Sequence, residues 1–191
     1  MATRSGERKN QILQVLAEML EAPKSEKITT AALAAKLDVS EAALYRHFAS
    51  KAQMYEGLIG FVEETVFGLI NKISTEQENG LKQAHAIAAM LLSFAEKNPG
   101  MTRVLIGDAL VNEDARLQMR INQLHDRLEA TLKQALRLAA TQGEIDKDAD
   151  TAAQANLMIA YIMGRWHQYA KSGFKRLPTQ FWQEQGPMLL G

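Results

Sequence analysis

The chain has 191 residues, 47% of them hydrophobic, with 22 Lys and Arg balanced by 22 Asp and Glu and no cysteine. That composition is enough to bury the core of one large domain, or of a small head and a larger body. It excludes disulfides, thiol catalysis and cysteine-ligated zinc, and the zero formal net charge argues against a uniformly basic nucleic-acid coat.

The first 51 residues nevertheless carry eight cations and six acids, a surplus of +2 that mildly supports nucleic-acid binding. The N-terminus is polar, with no apolar run behind its arginines, so a secretory signal is not expected. The longest apolar stretch, Ala86 to Leu92, falls far short of the roughly 20 residues a membrane span needs. A soluble, cytoplasmic protein is expected.

Strand-type alternation never persists, whereas apolar residues recur with a helical period throughout, so the fold class is expected to be all-α. A first helix is predicted from about Arg8 to Glu21, with Ile12, Leu13, Leu16, Met19 and Leu20 inward and Ala22-Pro23-Lys24-Ser25 as its end. A second runs from Thr29-Thr30 to Leu37, and a third from Ser40 to about Phe48. Ser50 caps a long fourth helix reaching about Ser74, with Leu58, Val62, Val66, Leu69 and Ile73 along one side. After a polar loop from Thr75 to Gly80, a fifth helix covers Leu81 to Lys97 and stops at Asn98-Pro99-Gly100. A short helix from about Met101 to Leu110 precedes a long one from Asn112 to Thr141, with Leu117, Ile121, Leu124, Leu128 and Leu132 inward and Gly143 at its end. Asp148 to Phe174 and Thr179 to Leu190 complete the series.

The segment from Ile28 to Phe48 carries the chemistry. Two short helices meet at a tight turn. Leu33 and Leu37 face inward from one, and Val39, Leu44 and Phe48 from the turn and the other, while small Ala34 sits where they cross. Asp38 occupies the turn position that calls for positive φ, which aspartate tolerates better than most residues. Ser40 is an N-cap, and Glu41 places a negative charge in the first turn of the third helix. That helix is too short to stand alone and needs packing, as a recognition helix has. The spacing would also suit an ordinary helical hairpin in a bundle. Tyr45, Arg46 and His47, followed by Lys51 at the next helix start, suit two or three adjacent phosphates better.

The run Thr-Thr-Ala-Ala-Leu-Ala, then Val-Ser-Glu-Ala-Ala-Leu-Tyr-Arg-His-Phe-Ala-Ser-Lys, resembles the DNA-binding head of the TetR family. Two further stretches, Phe94 to Leu105 and Arg116 to Leu124, resemble the nucleoid-occlusion branch of that family. The resemblance implies a TetR-like fold, with a three-helix helix-turn-helix head over residues 1–51 and a helical regulatory and dimerisation body over 52–191. It implies a nucleoid-associated homodimer on pseudo-palindromic double-stranded DNA, with several dimers able to share one DNA. When DNA-bound, such proteins bind the tubulin-like division protein FtsZ and antagonise its polymers over the chromosome, so that the septum does not form there.

Carried onto this chain, the resemblance assigns DNA contacts to Thr29, Thr30, Ser40, Ala42, Ala43, Tyr45, Arg46, His47 and Lys51. Thr29, Thr30, Tyr45, His47 and Lys51 are expected on phosphates. Ala42 and Ala43 are small enough for thymine methyls, and Arg46 suits a guanine or a phosphate. Arg4, Arg8 and Lys9 form a basic arm of sequence-blind attraction. The recognition helices of a dimer would read half-sites about 34 Å apart. The FtsZ surface falls on Phe61, Leu69, Met90, Ser93, Lys97 and Asn98; Leu69 stands where better-known members carry a basic residue, a departure from the family pattern. Phe67 points away from the fourth helix's stripe, towards another helix or the surface. Dimerisation would use the last two helices, since Leu157, Met158, Ala160, Tyr161, Met163, Gly164, Trp166 and Tyr169 make the first of them apolar on most sides; a single central core helix would look the same.

Other signals are weaker. Asp146, Asp148 and Asp150 alternate like the start of a calcium loop, but Thr151 and Leu157 stand where its glycine and glutamate belong, and the run reads as a helix start. His47, His85, His125 and His167 lack metal-ligand spacing, and no phosphate loop or nucleophile motif is present. No enzyme, metal or cofactor is expected. The alternative to nucleoid occlusion is a ligand-responsive TetR-type repressor, with Met54, Met90, Met101, Met158 and Met163 lining a cavity. Methionine at such spacings also fills ordinary cores. A third reading, an architectural DNA binder with no protein partner, fits poorly with the neutral charge.

Overall fold

A computed structural model describes residues 4–22 and 28–190, with side chains from Gly6 onward. Pro23, Lys24 and Ser25, expected to end the first helix, and the Arg4 side chain of the basic arm lie outside the described residues. Among the described residues the fold is all-helical. The helices are α1 (Arg4–Leu20), α2 (Thr30–Lys36), α3 (Glu41–Tyr45), α4 (Lys51–Glu76), α5 (Gly80–Lys97), α6 (Pro99–Leu105), α7 (Ala115–Thr141), α8 (Thr151–Lys171) and α9 (Trp182–Leu190), with a 3-10 turn at Asp108–Leu110. Among the described residues no helix is long and apolar enough to cross a membrane.

Two compact units emerge, Met1–Val62 with Pro99–Ile121, and Glu63–Asn98 with Asn122–Gly191. In the first, α1 packs on α2 and α6, and α2 on α3. Ile12, Leu16, Leu33, Leu44, Phe48, Met54, Leu58 and Val104 are buried there. Leu13, Met19, Leu37 and Val39 are half-buried, at the edge of the same stripes. In the second unit α5 packs on α8 and α9. Its core includes Ile87, Leu91 and Phe94, the α7 stripe Leu124, Leu128 and Leu132, and Met158 and Trp166 from α8. The Trp166 indole donates to the Leu91 carbonyl at 3.2 Å and the Tyr169 hydroxyl to that of Glu96 at 2.9 Å. These two aromatics are thereby buried with their polar atoms satisfied, which avoids the cost of an orphaned donor.

Several boundaries differ from the sequence expectation for identifiable reasons. Pro99 opens α6 instead of merely ending α5, because the first helical position needs no N–H donor. Gly107, at φ 78°, interrupts the helix expected to reach Leu110 and leaves a 3-10 turn. Asn112 has φ 65°, so α7 cannot begin there. It begins after Asp114, whose carboxylate accepts the Arg116 N–H at 3.0 Å and also its guanidinium. The Arg116 side chain and backbone donors hold the Asp114 carboxyl down at about 2. Asp150 caps α8 by accepting from Ala152 and Ala153, and Asp146 accepts from the Asp148 N–H, so the acidic run serves the helix start. Gly173 and Phe174, both at φ 64°, close α8 before the expected end. On α4 the buried line is Leu58, Val62, Val66 and Ile70. Leu69, placed inward on sequence grounds, is 39% exposed because the line advances by four residues a step, which rotates Leu69 out.

Candidate functional site

The turn between α2 and α3 is built by backbone geometry. Asp38 has φ 54°. Its N–H donates to the Ala35 carbonyl at 3.1 Å, and the Val39 N–H to that of Ala34 at 3.0 Å. This is the paired Schellman closure, which satisfies two orphan carbonyls at the end of α2 and sends the chain directly into α3. The near-complete burial of Ala34 and Leu33 against Leu44 fixes the two helices together.

The turn leaves a set of polar groups on the outside. Thr29 caps α2, its Oγ1 accepting the Ala32 N–H at 3.1 Å. Ser40 caps α3, its Oγ accepting the Ala43 N–H at 3.3 Å. In both, the hydroxyl oxygen is used and the hydroxyl proton remains to be donated outward. Ala42 and Arg46 are exposed, Ala43 and His47 half-buried, and Arg46 closes α3. Tyr45 is exposed, and its hydroxyl donates to Thr30 Oγ1 at 3.5 Å. Thr30 in turn donates to the Glu41 carboxylate at 2.5 Å. Lys51 is engaged differently. Its ammonium pairs with Glu113, with only 19% and 12% of the two side chains exposed, and lies 5.6 Å over the Tyr55 ring. In the arm, Lys9 lies 5.6 Å over the Phe48 ring, and Arg8 donates to Gln11 at 2.5 Å.

The first unit therefore brings all nine sequence-assigned DNA residues onto α2, α3 and the start of α4. Sequence reasoning missed the contacts by which two acids, Glu41 and Glu113, hold Thr30 and Lys51. Glu41 was legible as a first-turn charge, one turn before Tyr45 on the same face. Glu113 lies 62 residues from Lys51 and carries no local signal. A pocket of about 280 Å³ borders Glu113, lined also by Met19, Leu20, Tyr55, Arg103 and Asp108 among others.

The second assigned surface is divided between the units. Phe61, in the first, is 49% exposed. Leu69, Met90, Ser93, Lys97 and Asn98 belong to the second; Leu69 and Lys97 are exposed and Met90 and Ser93 half-buried. Asn98 closes α5, its amide donating to the Phe94 carbonyl at 2.7 Å. Phe67 is covered by the Arg127 guanidinium, 3.9 Å from its ring centroid, so it packs against α7.

Comparison with known proteins matches both ends of the chain to family models. The model of bacterial regulatory proteins of the tetR family covers residues 12–58. The SlmA-like model of the tetracyclin repressor-like C-terminal domain covers 78–191. Among curated proteins, the nucleoid occlusion factor SlmA of Idiomarina loihiensis is 50% identical over 97% of this chain and 94% of its own length. That of Alteromonas mediterranea is 52% identical over 96% and 94%. Among solved structures, a TetR-family regulator from Agrobacterium tumefaciens superposes with a TM-score of 0.80 over 97% of both chains at 15% identity. The regulator FadR of Bacillus subtilis, in complex with stearoyl-CoA, gives 0.77 over 95% of this chain and 97% of its own at 14%. At such identities the structural likeness speaks for the fold alone.

Proposed function

The chain belongs to the TetR family and, within it, to the SlmA-type nucleoid occlusion factors, and from that premise we propose that it binds specific chromosomal sites as a homodimer and, when DNA-bound, binds FtsZ and opposes its polymerisation over the nucleoid. The observation that carries this reading is identity near 50% along almost the whole chain. A shared head alone would mark only a TetR-type DNA binder; here the body, where partner binding is expected, is shared as well.

In this reading residues 1–51 form the reading head and 52–191 the regulatory and dimerisation part. Ala42 and Ala43 face base edges, Arg46 meets a guanine or a phosphate, Thr29, Thr30, Tyr45, His47 and Lys51 hold phosphates, and Ser40 completes the contact set. Phe61, Leu69, Met90, Ser93, Lys97 and Asn98 supply the FtsZ surface, to which Phe61 and Leu69 bring exposed apolar area and Lys97 a charge. Work of this kind is binding and positioning; no catalytic group, metal or cofactor is assigned. The protein acts in the cytoplasm, on the nucleoid. The alternative, release from DNA by a small ligand, has the first unit's pocket in its favour. That pocket, about 280 Å³, lies at the lower edge of small-molecule sites, and none of the five methionines expected to line a cavity is among its walls.

The test is sedimentation of FtsZ polymers with the purified protein, with and without DNA enriched from its own genome. Loss of polymer that requires the enriched DNA is expected. Arg46→Ala should abolish the effect by weakening DNA binding, and Phe61→Ala should weaken FtsZ binding while sparing DNA. DNA binding with no change in FtsZ polymer would leave a TetR-type regulator and turn attention to the pocket.

A further inference from the structure

Three of the nine assigned DNA contacts are already occupied within the protein. Thr30 has one hydroxyl proton, and it is spent on the Glu41 carboxylate. The Tyr45 hydroxyl proton is directed at Thr30. The Lys51 ammonium is held by Glu113 in a pair that is mostly withdrawn from solvent. In each cluster an anionic oxygen stands where a phosphate oxygen would have to stand for the donor to serve DNA. The two acids come from different places, the start of α3 and the loop before α7, yet make the same kind of contact.

We propose that Glu41 and Glu113 are built-in counter-anions of the DNA-binding head, which hold the Thr30 hydroxyl and the Lys51 ammonium in the DNA-free protein and must be displaced by backbone phosphates. The proposal rests on the DNA-contact reading given above and deepens it. Its consequence follows from the two parts of DNA affinity. Phosphate contacts are sequence-blind, whereas base contacts specify. An acid that competes for a phosphate-binding donor lowers affinity for every duplex. Only a site that also satisfies the base-reading residues offsets that loss in full register. The counter-anions thereby lower non-specific binding in absolute terms, while the ratio between specific and random DNA stays set by the base contacts.

The experiment is fluorescence anisotropy with the full chain, titrated on a duplex enriched from the genome and on a scrambled duplex of equal length, across a salt series. Glu113→Gln and Glu41→Gln keep side-chain size and remove the charge. Each is expected to tighten binding to the scrambled and the enriched duplex alike, by about threefold or more at low salt, the scale of one ion pair or one hydrogen bond, and to leave the specificity ratio unchanged. The gain from Glu113→Gln should vanish in a Lys51→Ala background, and that from Glu41→Gln in a Thr30→Val background. A gain that persists in those backgrounds, or equals that of Glu18→Gln on the exposed face of α1, would mean general electrostatics and overturn the proposal. Unchanged or weaker binding in both variants would also overturn it. If Lys51→Ala and Thr30→Val themselves leave affinity for both duplexes unaltered, the DNA-contact reading fails, and this inference with it.

Discussion

At the scale of single residues, the cluster of Lys51, Tyr55 and Glu113 shows how one buried neighbour changes another's chemistry. Tyr55 is 1% exposed. Burial, and secondarily the Glu113 charge, push its hydroxyl well above the ordinary value of 10.0. The folded chain keeps this proton when the unfolded chain loses it. The contribution of Tyr55 to stability is therefore fully present below pH 10 and falls as pH rises above it, by up to about 1.4 kcal/mol per pH unit for one group. Urea midpoints measured from pH 8 to 11 should fall more steeply for the natural protein than for Tyr55→Phe. Parallel curves would show that Tyr55 does not titrate this way. Tyr161, also raised by burial, remains in both proteins and cancels in the comparison. This chemistry was not legible in the sequence. The recognition residues lie in one continuous run, Thr29 to Lys51, and could be read from spacing and caps. Of their acid partners, Glu41 lies in the same run, but Glu113 could not be read, because it reaches Lys51 only through the fold.

At the scale of elements, glycine shows which helix contacts are tight. A Cβ added at Gly100 would fall far inside van der Waals contact distance of the Ala17 carbonyl oxygen, so α6 crosses α1 backbone to backbone. Backbone cannot step aside as a side chain can. Gly100→Ala is expected to cost about 1–3 kcal/mol or more, a large share of a stability on the order of 5–15 kcal/mol. Gly68, on the exposed side of α4, has nothing within 4 Å of its would-be Cβ. Gly68→Ala should gain about 0.5–1 kcal/mol from helix propensity and a less flexible unfolded chain. Urea denaturation read by circular dichroism separates the two, and equal shifts would remove the close crossing as the cause. The sequence placed Gly100 in a breaker, and that is half of its role. The existence and type of each helix were legible from apolar period and caps. The ends of α6 and α7 were not, because they depend on the positive φ of Gly107 and Asn112, and nothing local demands it of Asn112.

At the scale of the whole molecule, the question is what covers the outer face of α8. Met158, Ile162, Trp166 and Tyr169 face the core of the second unit. Ala153, Leu157, Ala160 and Gly164 recur at helical spacing on the opposite side and are exposed. Leu157 is 54% exposed, and on α9 Met188 is 78% exposed. The helix is thus apolar on two sides and satisfied on one, the pattern of an element that serves both a protomer core and a partner. Gly164 supports this reading. Nothing lies within 4 Å of the Cβ it lacks, so the protomer has no use for a glycine there, whereas a helix from a second copy approaching the same face would. Leu157→Glu places a charge at the centre of that face while leaving the protomer core untouched. It is expected to convert a dimer of twice the 21.2 kDa chain mass into monomers by light scattering, with the helical circular dichroism signal retained. Because a two-fold dimer presents two recognition helices to two half-sites, the same variant should bind an enriched DNA fragment no better than a scrambled one. A Leu157→Glu protein that remains dimeric would move the interface away from α8, and the glycine at 164 would then need another cause.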